Sequence, residues 1–379
     1  MPAGVSRVVA AAPATGLAAA LVAVLLLMGS VGLVAPQSAA QEPAGEPVQE
    51  PTGVLPNEPA AWILVDADTG AVLDGRDVRS PHLPASTIKL FTALVAIQRL
   101  PADEPIAVSD RAASMPARRI VMAPGQTWDL EDLLYSMLTV SANDAAVAVA
   151  ERVGHGSLEG WEDAAAVAAA GLGLEDQPDL SDPAGLDDEF AHEEGSRVSA
   201  RDMAIIARAV LDDPRLMEMV ATEEYLFTGG DGIVHSVDRR NRLLDLYPGA
   251  IGLKTGLTDA AGRCLVAAAT RDGRTMLAVL FDAPDMYLTA ATLLDRGFAT
   301  TVDAEAGLDR LPEVRTGAAL DPPEVVPGAV PPALGAVVPP AEGRLGLDDP
   351  AVATVVLVLG VLPALALRRR LLRRVPDHG

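Results

Sequence analysis

The sequence contains almost no lysine. Of its 29 basic residues only Lys89 and Lys254 are lysines, and the remaining 27 are arginines. Lysine offers a compact amine whose pKa can fall on burial far enough for it to accept a proton near neutral pH, whereas arginine stays charged. Because this chain uses arginine almost wherever it needs a cation, we expect both lysines to have a chemical role.

Net positive charge is also absent, and cysteine is scarce. Asp and Glu number 52 against 29 basic residues, which gives a formal net charge of -23. Such a chain lacks the basic surface that a nucleic-acid backbone requires, so we expect no nucleic-acid partner. The single cysteine, Cys264, excludes a disulfide within the chain, and the compartment must therefore be inferred from the chain ends.

The amino-terminal segment is typical of an export signal. Arg7 precedes an apolar run from about Leu17 to Val34, and small residues follow at positions 38–40, as before a signal-peptidase cut. We predict a signal peptide over residues 1–40. An uncleaved membrane anchor is the alternative, and either would export the rest of the chain.

The carboxyl-terminal segment predicts a membrane anchor. Residues 351–367 are apolar and uncharged, at the short limit for a helix that crosses a bilayer of about 30 Å. Residues 368–379 are rich in arginine, whereas Asp348 and Asp349 precede the apolar run. An excess of cations beside a membrane-spanning segment marks its cytoplasmic side. We predict a transmembrane helix over 351–367, a basic cytoplasmic tail over 368–379, and a preceding domain on the extracellular side; a buried core helix is the alternative to the transmembrane helix.

Two segments without hydrophobic periodicity delimit the folded unit. Residues 41–57 are rich in Pro, Glu and Gly and predict a spacer, and residues 311–350 are rich in Pro and predict an extended stalk. We therefore predict one folded domain over residues 58–310.

Within that domain, strand patterns lie at both ends and helical patterns between them. This arrangement predicts an α/β (α+β) fold, with an antiparallel sheet flanked by helices and an inserted all-helical lobe. The predicted strands are 61–65, 71–73, 264–269 and 275–280, and the predicted helices are those around 88–97, 130–138, 143–153 and 287–298.

Ser86 and Lys89 form a Ser-x-x-Lys pattern at the start of a helix introduced by Pro84. Residues i and i+3 share one helix face, so a neutral Lys89 could withdraw the proton of the Ser86 hydroxyl and create a nucleophile. A capping serine beside a solvated lysine is the alternative.

Lys254, Thr255 and Gly256 form a second pattern in a predicted edge strand. The lysine and the hydroxyls of Thr255 and Thr258 offer donors to a carboxylate, and the absence of a side chain at Gly256 lets a substrate backbone lie against the strand. A glycine-containing strand end with a surface cation is the alternative interpretation.

Between them stands Ser141-Ala142-Asn143. Ser141 or Asn143 could cap the following helix, although capping explains only one of them.

Ser-x-x-Lys, Ser-x-Asn and Lys-Thr-Gly in this order resemble the signature of penicillin-binding proteins and serine β-lactamases. The wider context, over about Trp62 to Phe298, is similar to the low-molecular-mass D-alanyl-D-alanine carboxypeptidases. The resemblance implies a five-stranded β-lactamase/transpeptidase-like sheet and an enzyme that acts on peptidoglycan stem peptides and is inhibited by β-lactam antibiotics.

Carried over residue by residue, the resemblance makes Ser86 the nucleophile, Lys89 its base and Ser141 a proton shuttle toward the leaving amine. Asn143 would bind the substrate amide, and the backbone N–H groups of Ser86 and Leu257 would form the oxyanion hole. The substrate-binding residues implied by the Lys-Thr-Gly strand are Lys254, Thr255, Gly256, Leu257 and Thr258.

The chain departs from the family pattern, and two of the departures are the following. Asp182-Pro183-Ala184-Gly185-Leu186 stands where the family usually has an Asn-Pro-x-Gly-Leu-like segment. In addition, residues 285–287 offer no arginine where some relatives carry one that binds the substrate carboxylate after the Lys-Thr-Gly strands.

We expect neither a cofactor nor a metal ion. His192-Glu193-Glu194 begins like a zinc-binding helix, but position 196 is serine, so the second histidine ligand is missing. The alternatives to a carboxypeptidase are a class A-like β-lactamase, which needs a glutamate-held water, and a catalytically degenerate wall-binding protein.

Overall fold

The computed structural model describes residue 55 and residues 57–116 and 118–314. The predicted signal peptide, transmembrane helix and basic tail, with nearly all of the predicted spacer and stalk, lie outside these residues. Within the described part, no helix combines the length and the apolar character needed to cross a bilayer.

The strands of the main sheet come from both ends of the domain. These strands are β1 (Ala61–Asp66), β2 (Val72–Arg76), β7 (Ala250–Thr258), β8 (Gly262–Arg271) and β9 (Arg274–Phe281). They run in the order β2-β1-β9-β8-β7, and every neighbouring pair is antiparallel. The predicted antiparallel sheet of five strands is therefore confirmed.

Two short ribbons and a set of helices complete the described part of the chain. The ribbons are β3 (Pro105–Ala107) with β4 (Thr127–Asp129), and β5 (Glu224–Thr228) with β6 (Val234–Asp238). The helices are α1 (Lys89–Arg99), α2 (Asp110–Ser114), α3 (Leu130–Thr139), α4 (Asn143–Val153), α5 (Leu158–Leu172), α6 (Ala200–Leu211), α7 (Pro214–Ala221), α8 (Leu243–Leu246) and α9 (Met286–Ala299).

The sheet divides the core into two layers. Successive side chains of a strand point to opposite faces, and β1 shows this with Ile63 and Val65 in one apolar cluster and Trp62 and Leu64 in the other. The first cluster joins the sheet to the inserted helices, and the second joins it to α9. The inserted lobe is mainly helical and buries α1, but it is not all-helical as predicted, because the ribbons β3–β4 and β5–β6 belong to the same insertion.

The predicted domain boundary at residue 310 falls inside a packed segment. Leu311 is buried and its N–H donates to the carbonyl of Gly70, while Arg208 donates to the carbonyl of Pro312. The packed chain therefore continues at least to residue 312.

Candidate active site

Ser86 lies in a tight 3-10 turn, Ala85–Ile88, that leads directly into α1. The hydroxyl of Thr87 donates to the carbonyl of Pro84 at 2.6 Å, which fixes the turn. Ala85 adopts a left-handed conformation with φ of 45°, which is costly for a residue with a side chain. The turn is thus held in a strained shape that presents Ser86 to a cavity.

The Lys89 amine lies at the centre of a polar network. Its Nζ is 2.9 Å from Ser86 Oγ, and it donates to Asn143 Oδ1 at 2.8 Å and to the carbonyl of Ala184. A neutral amine has two N–H donors and one lone pair. Because Asn143 and Ala184 accept the two donors, the lone pair is left for the Ser86 hydroxyl.

The environment of Lys89 favours this neutral form. Burial lowers the pKa of Lys89 to about 7, and the charge of Arg118 lowers it too, against the opposing effects of Asp182 and Asp144. Near neutral pH a substantial share of the amine is therefore unprotonated and able to act as a base.

Ser141 and Asn143 do not cap the helix that follows them, so the capping interpretation is wrong. The cap position of α4 is Ala142, and no side chain caps it. Asn143 instead donates from Nδ2 to the carbonyl of Pro116 at 3.3 Å and accepts from Lys89. The Ser141 hydroxyl is buried without a hydrogen-bond partner among the described residues, and a substrate group could satisfy it.

The Lys-Thr-Gly strand, β7, forms the opposite wall. An added Cβ at Gly256 would lie 2.9 Å from Ala85 Cβ and 3.0 Å from Ser86 N. Glycine is therefore required because β7 packs against the nucleophile turn, whereas the sequence had suggested that it makes room for substrate. After Gly256 in the strand, Leu257 is 49% exposed and the Thr258 hydroxyl donates to Asp187.

Lys254 differs from the other predicted binding residues. Its side chain is buried and Nζ donates to the carbonyl of Thr255 at 3.1 Å. Burial, with the positive charges of Lys89 and Arg118, holds the pKa of Lys254 well below its usual value. Lys254 lies behind the cavity wall and is absent from the cavity surface.

A cavity of about 320 Å³ joins the three motifs. Most predicted site residues lie on its surface: Ser86, Ser141, Asn143, Thr255, Gly256, Leu257 and Thr258. Lys89 does not line the cavity, but its amine contacts Ser86, which does. Their catalytic and binding roles stay predictions. The remaining lining residues are Pro116, Arg118, Gly185, Leu186, Asp187, Asp188 and Asp259.

Sequence reasoning missed the supporting role of Asp182. One oxygen of its carboxylate accepts from the backbone N–H groups of Ala184, Gly185 and Leu186, and the other accepts from the N–H of His192. This turn presents the Ala184 carbonyl to Lys89. An Asp-Pro-x-Gly sequence is a turn signal, which could have identified the feature from the sequence.

His192 pairs with Glu162 instead of forming a motif with its neighbours in sequence. Its Nε2 lies 2.6 Å from Glu162 Oε1, and Glu193 approaches the same point. The buried histidine thus helps to hold the loop that Asp182 organises.

Comparison with known proteins identifies a family. The sequence profile described as D-alanyl-D-alanine carboxypeptidase matches residues 50–285. A D-alanyl-D-alanine carboxypeptidase of Mycobacterium tuberculosis is 34% identical over 261 residues, which cover 67% of this chain and 87% of the relative. Another, from Bacillus subtilis, is 33% identical over 238 residues, or 61% of this chain and 59% of the relative.

Solved structures that are similar to this chain belong to the same class of enzymes. The chain is similar to an evolved penicillin-binding protein homologue from Mycobacterium tuberculosis, with 33% identity, a TM-score of 0.61, and coverage of 69% of this chain and 100% of that one. It is also similar to a DD-transpeptidase of Streptomyces K15, with 26% identity, a TM-score of 0.56, and coverage of 65% and 100%. The fold is that of the penicillin-binding and transpeptidase enzymes.

Proposed function

The chain belongs to the D-alanyl-D-alanine carboxypeptidase family, and we propose that it removes the terminal D-alanine of peptidoglycan stem peptides through an acyl-enzyme on Ser86. The observation that carries this proposal is the 2.9 Å contact between Ser86 Oγ and the buried Lys89 amine, at the edge of a cavity that the Lys-Thr-Gly strand also lines.

In the acylation step, Lys89 takes the hydroxyl proton of Ser86 while Oγ attacks the carbonyl carbon of the penultimate D-alanine. The oxygen that becomes negative accepts from the backbone N–H groups of Ser86 and Leu257. The peptide bond then breaks, and the leaving amine receives a proton from Lys89 through the Ser141 hydroxyl. Free D-alanine leaves, and the rest of the peptide stays esterified to Ser86.

In the deacylation step, water attacks the ester and its proton returns through the same basic groups to Ser86. Asn143 binds the amide of the acyl group, and the β7 residues Thr255 and Thr258 position the peptide along the strand. β-Lactam antibiotics would acylate the same serine, which makes them both inhibitors and probes.

The acidic lining supports a peptidase over a class A-like β-lactamase. Such a lactamase holds its deacylating water with a glutamate. The carboxylates that line the described cavity are all aspartates, Asp187, Asp188 and Asp259.

We further propose that the catalytic domain works on the cell-wall side of the membrane. Support comes from the sequence alone: the predicted export signal over residues 1–40, and the apolar segment 351–367 followed by arginines.

The test is labelling of the full chain with fluorescent penicillin, followed by measurement of D-alanine release from a stem pentapeptide. Wild type and the control Ser236→Ala, which alters an exposed hydroxyl on β6, should label and release D-alanine, and Ser86→Ala should do neither. A wild type that neither labels nor releases D-alanine would contradict the proposal. Labelling with rapid loss of label and no D-alanine release would favour the β-lactamase.

A further inference from the structure

His192 is a buried imidazole that faces carboxylates from two parts of the chain. Its side chain is only 6% exposed, and Nε2 lies 2.6 Å from Oε1 of Glu162, a residue of α5. A carboxylate oxygen of Glu193 lies beside them, so that one ring nitrogen and two carboxylate oxygens are all within 4.8 Å of one another. In the described part of the chain, no other group of three or more such side chains brings its potential metal ligands so close together.

The second carboxylate distinguishes this cluster from an ordinary pair. His82 and His235 are each paired with the carboxylate of one aspartate. An imidazole presents a single N–H at Nε2, which can satisfy only one such partner. At His192, therefore, either Glu162 or Glu193 can accept the ring proton, and the other carboxylate needs a different counter-charge.

No basic side chain supplies that counter-charge. Neither Glu162 nor Glu193 forms an ion pair with a lysine or arginine among the described residues, whereas Glu175 and Glu305 both pair with arginines. Two negative charges within 4.8 Å repel each other unless a cation lies beside them. The arrangement therefore favours a cation at this point.

The fold brings the three side chains together without the help of either glutamate. Next to Glu162, the indole N–H of Trp161 donates to the carbonyl of Leu180 at 3.0 Å, which fixes α5 against the chain before the loop. The backbone N–H of His192 donates to the Asp182 carboxylate at 2.8 Å. The ligands are thus placed by packing that persists whether or not an ion is bound.

The donor set matches Zn²⁺ better than Mg²⁺ or Ca²⁺. Zn²⁺ binds imidazole nitrogen and carboxylate oxygen at about 2.0–2.2 Å, and commonly takes three protein ligands with water as the fourth. Such ligands lie roughly 3.3 Å apart, and Glu193 is exposed, so rotation of its side chain can bring its oxygen to that distance. Mg²⁺ and Ca²⁺ prefer oxygen ligands throughout, which the imidazole does not offer.

We propose that Glu162, His192 and Glu193 form a site for Zn²⁺. The ion replaces the proton that His192 shares with Glu162, and that proton passes to solvent. The sequence offers no second histidine at position 196, and the tertiary structure supplies Glu162 from α5 in its place. The bound ion joins α5 to the loop that presents the Ala184 carbonyl to Lys89, and so stabilises the active site from outside its cavity.

The test measures Zn²⁺ binding to the full chain, without a metal-binding tag, by equilibrium dialysis and by thermal unfolding. Wild type should bind one Zn²⁺ ion, which a chelator should remove. At a hundredfold excess over the dissociation constant, Zn²⁺ should raise the unfolding temperature by about 5 °C. Mg²⁺ or Ca²⁺ at the same concentration should not compete.

His192→Gln and Glu193→Gln should each weaken Zn²⁺ binding by at least about tenfold, because even groups that only orient a metal ligand contribute about 10- to 100-fold. Glu193 is exposed, so its variant keeps the test decisive if His192→Gln fails to fold. Glu194→Gln is the matched control, since it removes the same charge at an adjacent exposed position outside the cluster, and it should bind Zn²⁺ as wild type does.

Three results would each overturn the proposal. One is a wild type that binds no Zn²⁺, and another is wild-type affinity in Glu193→Gln or an equal loss in Glu194→Gln, which would make the binding a response to general acidity. The third is equally tight binding of Ca²⁺, which would show that the imidazole is not a ligand. Binding is measured without substrate, so the result is independent of the proposed function.

Discussion

At the scale of single residues, the chemistry depends on a lysine that is largely neutral. Lys89 is completely buried, and that burial brings its pKa to about 7. Its two acceptors, Asn143 and Ala184, leave its lone pair for Ser86. Position 89 therefore requires an amine that can lose its proton, which arginine cannot supply.

Replacement of Lys89 by arginine should nearly abolish acylation. Arginine keeps a cation at the position but cannot be deprotonated, so the general base is lost. We expect the second-order rate of acylation by fluorescent penicillin to fall by about 10²- to 10⁴-fold. Thermal unfolding should show that the variant is folded, and a folded variant with wild-type acylation would contradict the role of Lys89.

The acylation rate should also depend on pH in a defined direction. The active form is neutral Lys89, which predominates above its pKa, so the rate should rise with pH through about 7 and then level off. The measurement is the rate of penicillin acylation from pH 5 to pH 9. Because Arg118 lowers the pKa of Lys89, Arg118→Gln should move the midpoint to higher pH, and a flat profile in wild type would refute the neutral base.

At the scale of elements, the site depends on close contact between the Ser86 turn and its neighbours. Gly185 has φ of 75°, and a Cβ there would lie 1.9 Å from the carbonyl oxygen of Ala85. Gly256 meets the same turn from β7. Two glycines thus allow a loop and a strand to enclose the nucleophile turn.

Gly256→Ala should impair acylation more than folding. The added methyl must displace β7 or the turn by some tenths of an ångström, because its contacts at 2.9 Å and 3.0 Å are too short. Misplacement of reacting groups by about 1 Å can cost about 10²-fold, so we expect a loss of about tenfold or more in the acylation rate. The rate and the unfolding temperature of the same sample would be compared, and a loss of stability without a loss of rate would contradict this account.

Asp144 anchors the loop of Arg118 to α4 through three backbone N–H groups. Asp144→Asn removes the charge and one acceptor, so we expect about 1–3 kcal/mol less free energy of unfolding in urea. Asp103→Asn, at an exposed position, is the control and should change stability by less than about 0.5 kcal/mol. Equal effects of the two substitutions would show that the anchor is unimportant.

At the scale of the whole molecule, strands from opposite ends of the domain form one sheet. β1 pairs with β9, more than two hundred residues later in the chain, and the segment after α9 returns to the start of β2. There Arg201 pairs with Asp309, and Leu311 packs into the core. The described residues 309–311 therefore pack against the elements that precede them.

Removal of the residues after position 308 should destabilise the domain. A fragment of residues 55–314 should fold, whereas one that ends at residue 308 loses the Leu311 side chain, the ion pair between Arg201 and Asp309, and the hydrogen bond from Arg208 to the carbonyl of Pro312. We expect the shorter fragment to be less stable by at least about 2 kcal/mol in urea unfolding. Equal stability would place the domain end before residue 309.

The sequence by itself determined the parts that depend on local pattern and residue type. The apolar run of β1 and the apolar residues after Pro84 are local, and β1 and α4 follow the predicted bounds closely, while β8 and β9 extend the predicted strands by one or two residues at each end. Ser86, Lys89, Ser141, Asn143 and the Lys-Thr-Gly residues were found because their order and spacing are distinctive.

Only the tertiary structure decided which groups meet across the cavity. The positions of Arg118 and Asp182 at the site, and the close packing that requires glycine at position 256, depend on contacts between residues far apart in the chain. No periodicity or motif encodes those distances. The same holds for the pKa of Lys89, which burial by the whole domain lowers. Local sequence selects the reactive groups, and the packed fold sets their separation, their solvation and hence their protonation.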